Sequence, residues 1–174
     1  MVRYILMSKE ETQTPEMDSL VDHILRGERA LLFAPGIWSF VGASGATGFG
    51  ITFLVTAVVP ALLGDYSVPT RATSGIGGVL LGAMLASVCS SLVIHGFEAG
   101  RKVWQRVTPL CFAASVLALA VMLTSGDKMQ RVASCIAVVM LGVATLLLRS
   151  SGFGLFVLFR QRLKARRKAL LAEM

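Results

Sequence analysis

Charged side chains are scarce in this chain. Of 174 residues, 16% are charged and 55% hydrophobic, where an ordinary soluble domain is about 25% charged and about 45–50% apolar. That balance argues against a single water-soluble domain. Between residues 30 and 97 the ionisable side chains are Asp65, Tyr66, Arg71, Cys89 and His95, and residues 107–126 carry no charge at all. Histidine is limited to His23 and His95, with no HExxH and no clustered ligand set, so neither a metal nor another cofactor is expected. The three cysteines, Cys89, Cys111 and Cys135, lie in apolar runs without CxxC spacing. They indicate no disulfide framework and no thiolate metal site, and read as small buried hydrophobes. No Asp or Glu falls inside a long apolar run, which weighs against an ion-coupled carrier. The first 29 residues hold ten charged side chains and no continuous apolar stretch, so we expect no cleavable leader. The first span then inserts as its own signal.

What the chain does contain is uncharged length. A bilayer core of about 30 Å needs about 20 helical residues, and four runs meet that requirement: 37–63, 72–97, 107–125 and 132–148, the last with room to continue to residue 159. The connections, 64–71, 98–106 and 126–131, are short, so neighbouring spans should be antiparallel. Lys and Arg number four before the first span, one, three and two in the successive loops, and seven from Arg149 onward. This puts fourteen on the side of the two chain ends against three on the other, and the positive-inside rule places both termini in the cytoplasm. Trp38 and Trp104 are expected at that interface and Tyr66 at the opposite one, as in aromatic belts.

Two flanking segments have their own character. Met17, Leu20, Val21, Ile24, Leu25, Leu31 and Leu32 recur at helical spacing, with Thr14 able to cap and Pro15 suited to the first turn. The polar face of this amphipathic helix is mainly acidic, through Glu16, Asp18, Asp22 and Glu28. Helices that lie on anionic lipid are usually basic there, so docking on protein is expected, either on the chain's own basic tail or on a partner. Ala34, Pro35 and Gly36 then break the helix. At the other end, Arg149, Arg160, Arg162, Lys164, Arg166, Arg167 and Lys168 stand against one acid, Glu173. Such a tail suits anionic lipid headgroups. It lacks an aromatic stacking platform, so nucleic acid is not an expected partner. Arg149 falls far enough along the fourth span to snorkel to the headgroups, and Phe153, Leu155, Phe156, Leu158 and Phe159 would form an interfacial stretch beyond it.

Small residues make the strongest pattern within the spans. Ser74, Gly78, Gly82, Ala86 and Ser90 recur every fourth position on the second span, and Gly42, Ala46 and Gly50 do so on the first. Small faces let helix backbones approach closely in lipid. The two rows are expected to face each other and close the first hairpin; alternatively, one row faces outward and receives a helix from another protein or a second copy. A sharper pattern overlaps the first row. Gly42-Ala43-Ser44-Gly45-Ala46 resembles the GASGA stretch that carries the nucleophilic serine of rhomboid intramembrane proteases. The resemblance implies Ser44 as nucleophile, with His95, at the same side of the membrane in an antiparallel hairpin, as its base.

The expected fold is an all-α integral membrane protein: a four-span bundle over residues 37–159, an amphipathic surface helix within 1–36 and a basic helical tail over 160–174. The expected location is a bacterial-type inner membrane with both ends cytoplasmic. The expected role is non-catalytic, because no oxyanion-stabilising set accompanies Ser44 and His95. It is contact of membrane helices with a partner or a second copy, as in an immunity protein that blocks a pore-forming toxin. In size and threading the chain resembles the four-span immunity proteins of pore-forming colicins. A Ser44/His95 hydrolase and, through Pro60 and the many glycines, a channel or transporter subunit stand as alternatives.

Overall fold

The computed structural model describes residues 19, 21–24, 34–64 and 67–172. Among them the regular structure is wholly helical, with no strand. This follows from the solvent: in hydrocarbon, a helix satisfies every backbone N–H and C=O internally. The helices are α1 (Ile37–Leu63), α2 (Val68–Ile94), α3 (Glu98–Ser125), α4 (Lys128–Arg149) and α5 (Ser151–Ala172). The first four are long and apolar enough to cross a membrane. Even the shortest, α4 with 22 residues, reaches about 33 Å at 1.5 Å per residue. The chain therefore reads as a multi-pass membrane protein.

Helices extend beyond the apolar runs. α2 starts at Val68, where Ser67 caps it and Pro69 sits in the first turn. α3 starts at Glu98, so the charged segment 98–106, expected as a loop, is helix and the α2–α3 connection shrinks to His95, Gly96 and Phe97. Hydropathy marks where lipid begins, and a helix does not stop there. The fourth span does not continue to residue 159. Ser150 is extended (φ −68°, ψ 151°). Its hydroxyl donates to the Leu147 carbonyl at 2.6 Å and accepts the Phe153 N–H at 3.2 Å, ending α4 and capping α5 with one side chain.

Packing places α1 in the middle. It lies between α2 on one side and α4 on the other, α3 is carried mainly by α4, and α5 crosses the end of the bundle where α1 and α3 begin. We call this the basal end and the opposite one the distal end. The basal core is aromatic. Trp104 of α3 is fully buried and meets Phe40 of α1 and Phe153 of α5 edge-on, each with ring centroids 5.9 Å apart, while Phe40 stacks on Phe156 of α5 at 4.5 Å. Trp104 Nε1–H donates to Thr47 Oγ1 at 3.2 Å, and that hydroxyl donates to the Ala43 carbonyl at 2.7 Å. The interfacial position expected for Trp104 is thus corrected: its polar handle finds a buried partner, so water is not needed. Trp38, by contrast, is exposed, and Tyr66 lies outside the described residues. The expected interfacial stretch is corrected in part: Phe153, Phe156 and Phe159 are buried, while Leu155 is half-buried and Leu158 exposed.

Gly36 makes the junction with α5 possible. Its φ of +73° is left-handed, and a Cβ there would overlap the Gly152 carbonyl oxygen. Of the expected amphipathic helix, Ser19 and Val21–Ile24 are described and helical; its remaining residues lie outside the described ones. Val21 is buried against Phe159, and Asp22 accepts two hydrogen bonds from the Arg166 guanidinium, both at 2.9 Å. Of the two docking surfaces considered from sequence, these contacts are with the chain's own tail.

Candidate functional site

The small residues of α2 are used inside the bundle. Ser74, Gly78, Gly82 and Ala86 are buried, and Ser90 is half-buried. Their partner, however, is not the row Gly42, Ala46 and Gly50. A Cβ on Gly82 would overlap the Gly48 carbonyl oxygen, one on Gly78 would come within 2.8 Å of the Thr52 carbonyl oxygen, and Ser44 Oγ lies 3.0 Å from Ser90 Oγ. Thr52 Oγ1 donates to the Gly48 carbonyl at 3.0 Å and also reaches the Gly78 carbonyl at 3.3 Å. The α1 row against α2 is therefore Ser44, Gly48 and Thr52. The row expected there turns toward α4, where a Cβ on Gly50 would strike Leu141 and one on Gly42 would touch Leu147. α1 is thus small on two faces, one for each neighbour.

One side of the α1–α2 seam stays open. A 730 Å³ groove runs along it. Ser44, Gly45, Gly48 and Thr52 line it from α1, with Ala86 and Ser90 from α2. Gly45 is exposed, and a Cβ built on it meets nothing within 4 Å. A second groove, 580 Å³ and wholly aliphatic apart from Met122, lies between α1 and α3; it exists because α3 leans on α4. The first differs in carrying hydroxyls within the span.

Ser44 and His95 are not brought together. Ser44 shares its hydrogen bond with Ser90, while His95, exposed at the end of α2, places Nδ1 2.7 Å from the Ser91 carbonyl. Ser90 and His95 are five residues apart, about 7.5 Å along a helix axis. Among the described residues no group of His, Cys, Asp and Glu is arranged to hold a metal. Cys89 is buried and Cys111 half-buried, but Cys135 is exposed on α4, so the expected burial of all three is corrected. It lies on the apolar outer surface, where a thiol serves as a small hydrophobe.

The distal end holds a polar node that the sequence pattern did not single out. Asp127 caps α4 by accepting the Gln130 N–H at 2.9 Å, and Gln130 Oε1 accepts the Asp127 N–H at 3.1 Å. Asp127 is also paired with Arg71 of α2, and buried Gln130 donates to the Ala57 carbonyl of α1 at 3.4 Å. The signal was present as Asp-Lys-Met-Gln, a capping-box spacing. Asp127→Ala is expected to lower stability by about 1 kcal/mol through loss of the cap. Asp127→Asn, which keeps a capping oxygen, should lower it by less than half as much, because the ion pair is about one-third exposed and therefore screened. Denaturant titration of the two variants in detergent would compare them; equal losses would show that the ion pair, and not the cap, dominates.

At the basal end Arg149 is the exposed last residue of α4, favourably placed at the negative end of the helix dipole. Arg160 Nε donates to the Ile94 carbonyl at 2.6 Å, and the Lys164 ammonium lies 3.5 Å from the centroid of the Phe97 ring. Lys164, Arg166, Arg167 and Lys168 are exposed, and Arg162 is half-buried. No family model matches this chain, and neither a curated protein nor a solved structure matches it.

Proposed function

We propose that this protein is a non-catalytic, multi-pass protein of a bacterial-type inner membrane, with both termini cytoplasmic, that acts by lateral contact with a helix of a membrane partner. The concrete form of the proposal is an immunity protein that blocks a pore-forming toxin within the bilayer. The observation that carries it is the α1–α2 groove. Small residues at its floor let a third backbone approach closely, and the Ser44–Ser90 pair, in which one hydroxyl donates to the other, keeps one hydroxyl hydrogen to offer that helix in a solvent that supplies none. Orientation rests on the fourteen-to-three division of Lys and Arg.

Gly45 supplies the test, because it can be enlarged without touching the bundle. Gly45→Leu fills the groove, whereas Gly77→Leu adds the same bulk at an exposed α2 position that is also open. In native membranes treated with a crosslinker, the wild-type chain and Gly77→Leu are expected to recover one partner in near-equal amount. Gly45→Leu should lose it about tenfold, the equivalent of about 1.4 kcal/mol. If the partner is a toxin, the same variant leaves cells sensitive to it. Recovery of the chain alone, or equal recovery with Gly45→Leu, would remove the basis for the proposal.

A further inference from the structure

The basal end carries a second concavity, of a different chemistry. A 380 Å³ pocket lies between the end of α2 and the second half of α5. Arg160, Lys164, Arg167 and Lys168 line it and follow one another at helical spacing, so α5 presents them on one face. Ile94, Phe97, Leu163 and Leu171 form apolar walls, and His95 stands at the α2 side.

Two features make this more than a basic tail. First, among the described residues the four cations have no carboxylate partner. The carboxylates described at this end are Asp22, bound to Arg166, and Glu98, which pairs with Lys102 at 3.0 Å. Among the described residues neither salt-bridges to any of the four pocket cations. Second, the pocket is preorganised. Arg160 is held by the Ile94 carbonyl and Lys164 by the Phe97 ring. The same Arg160 bond offsets the negative end of the α2 dipole, which would otherwise repel an anion. Like charges gathered along one pocket repel one another, and an anion held among them relieves that repulsion.

We infer that this pocket binds the phosphate of an anionic membrane lipid, with Arg160, Lys164, Arg167 and Lys168 around the phosphate and the apolar walls against the adjoining glycerol and acyl carbons. The inference does not rest on the α1–α2 groove. It also separates the seven tail cations: Arg149 and Arg162 do not line the pocket, and Arg166 is turned to Asp22.

The test uses the full chain in uncharged detergent micelles, titrated with phosphatidylglycerol or with phosphatidylcholine, counting retained lipids by native mass spectrometry. One phosphatidylglycerol is expected to stay bound per chain. Lys164→Gln, Arg167→Gln and Lys168→Gln together should weaken it on the order of tenfold to a hundredfold. Arg101→Gln, Lys102→Gln and Arg106→Gln together remove the same charge from α3 at the same end and should change it little. Equal losses in the two triples would mean diffuse attraction, and no loss in either would mean no site; both overturn the inference. Because Arg167 and Lys168 make no hydrogen bond or ion pair among the described residues, the double variant Arg167→Gln, Lys168→Gln keeps the test valid should the α5 triple misfold. Inorganic phosphate and glycerol 3-phosphate distinguish the source. Failure of either to displace the lipid supports a lipid ligand, whereas displacement at matched ionic strength would assign the pocket to a soluble phosphate and overturn the lipid assignment.

Discussion

Trp104→Ala is expected to destabilise the protein by about 3 kcal/mol, at the low end of the range for emptying a buried aromatic site. The low end applies because apolar transfer contributes less when the surroundings are already hydrocarbon, while the lost dispersion contacts remain. The ring is the contact shared by α1, α3 and α5 through Phe40 and Phe153. Its removal should therefore also loosen α5 and expose the Ser150–Gly152 break to protease. Trp104→Phe keeps most of the ring and loses the N–H, for about 1 kcal/mol. Thr47→Val removes the other partner, and the double variant should fall short of the sum of the two. Denaturation in mixed micelles, followed by circular dichroism, measures all four. An alanine variant within about 1 kcal/mol of the parent would mean that the aromatic cluster is not what joins α5 to the bundle.

Gly82→Leu is expected to prevent the native bundle from forming. The obstacle is the Gly48 carbonyl oxygen, which is backbone and cannot rotate aside as a side chain would. The α1–α2 backbones must separate, and the Thr52 reach to Gly78 and the Ser44–Ser90 bond go with them. Gly45→Leu on the same seam and Gly77→Leu on the outer face of α2 should accumulate at parental levels. Size-exclusion profiles of the three variants extracted in mild detergent would show the contrast. A monodisperse Gly82→Leu peak at parental yield would refute close α1–α2 packing.

The spans were legible because charge is so expensive in hydrocarbon that a long uncharged run marks where the chain meets lipid. Their ends were less so. Arg101, Lys102 and Arg106 look like a loop to hydropathy, yet α3 has already begun at Glu98, since a helix projecting from a membrane can carry charge. Which helices pair was hidden for another reason. α1 has two rows at four-residue spacing, Gly42, Ala46 and Gly50 beside Ser44, Gly48 and Thr52, and spacing alone does not say which row meets α2. Trp104 near a span end carried the signature of an interfacial belt, and its partner Thr47 lies 57 residues away in the chain. The turn into α5 did have a local signal, Ser150-Ser151-Gly152, a cluster of helix-breaking residues. The apolar run on either side concealed it. The groove beside Gly45 is a product of assembly; of the basic pocket, the cations of α5 were legible as a tail suited to anionic headgroups, but the walls that Ile94 and Phe97 add come only from packing against the end of α2.

The middle position of α1 also sets an order of events during synthesis. The hairpin with α2 can close once α2 has inserted, but the face bearing Gly50 waits for Leu141, which is translated about 2–9 s after the end of α2 at about 5–20 residues per second. Throughout that interval a glycine-rich surface is presented to lipid with its intended neighbour not yet made. Biogenesis therefore has a vulnerable stage: a ribosome stalled after α2 would leave a half-assembled hairpin whose vacant side accepts any small-faced helix nearby. Completion of α4 ends that stage by covering the surface from within the same chain.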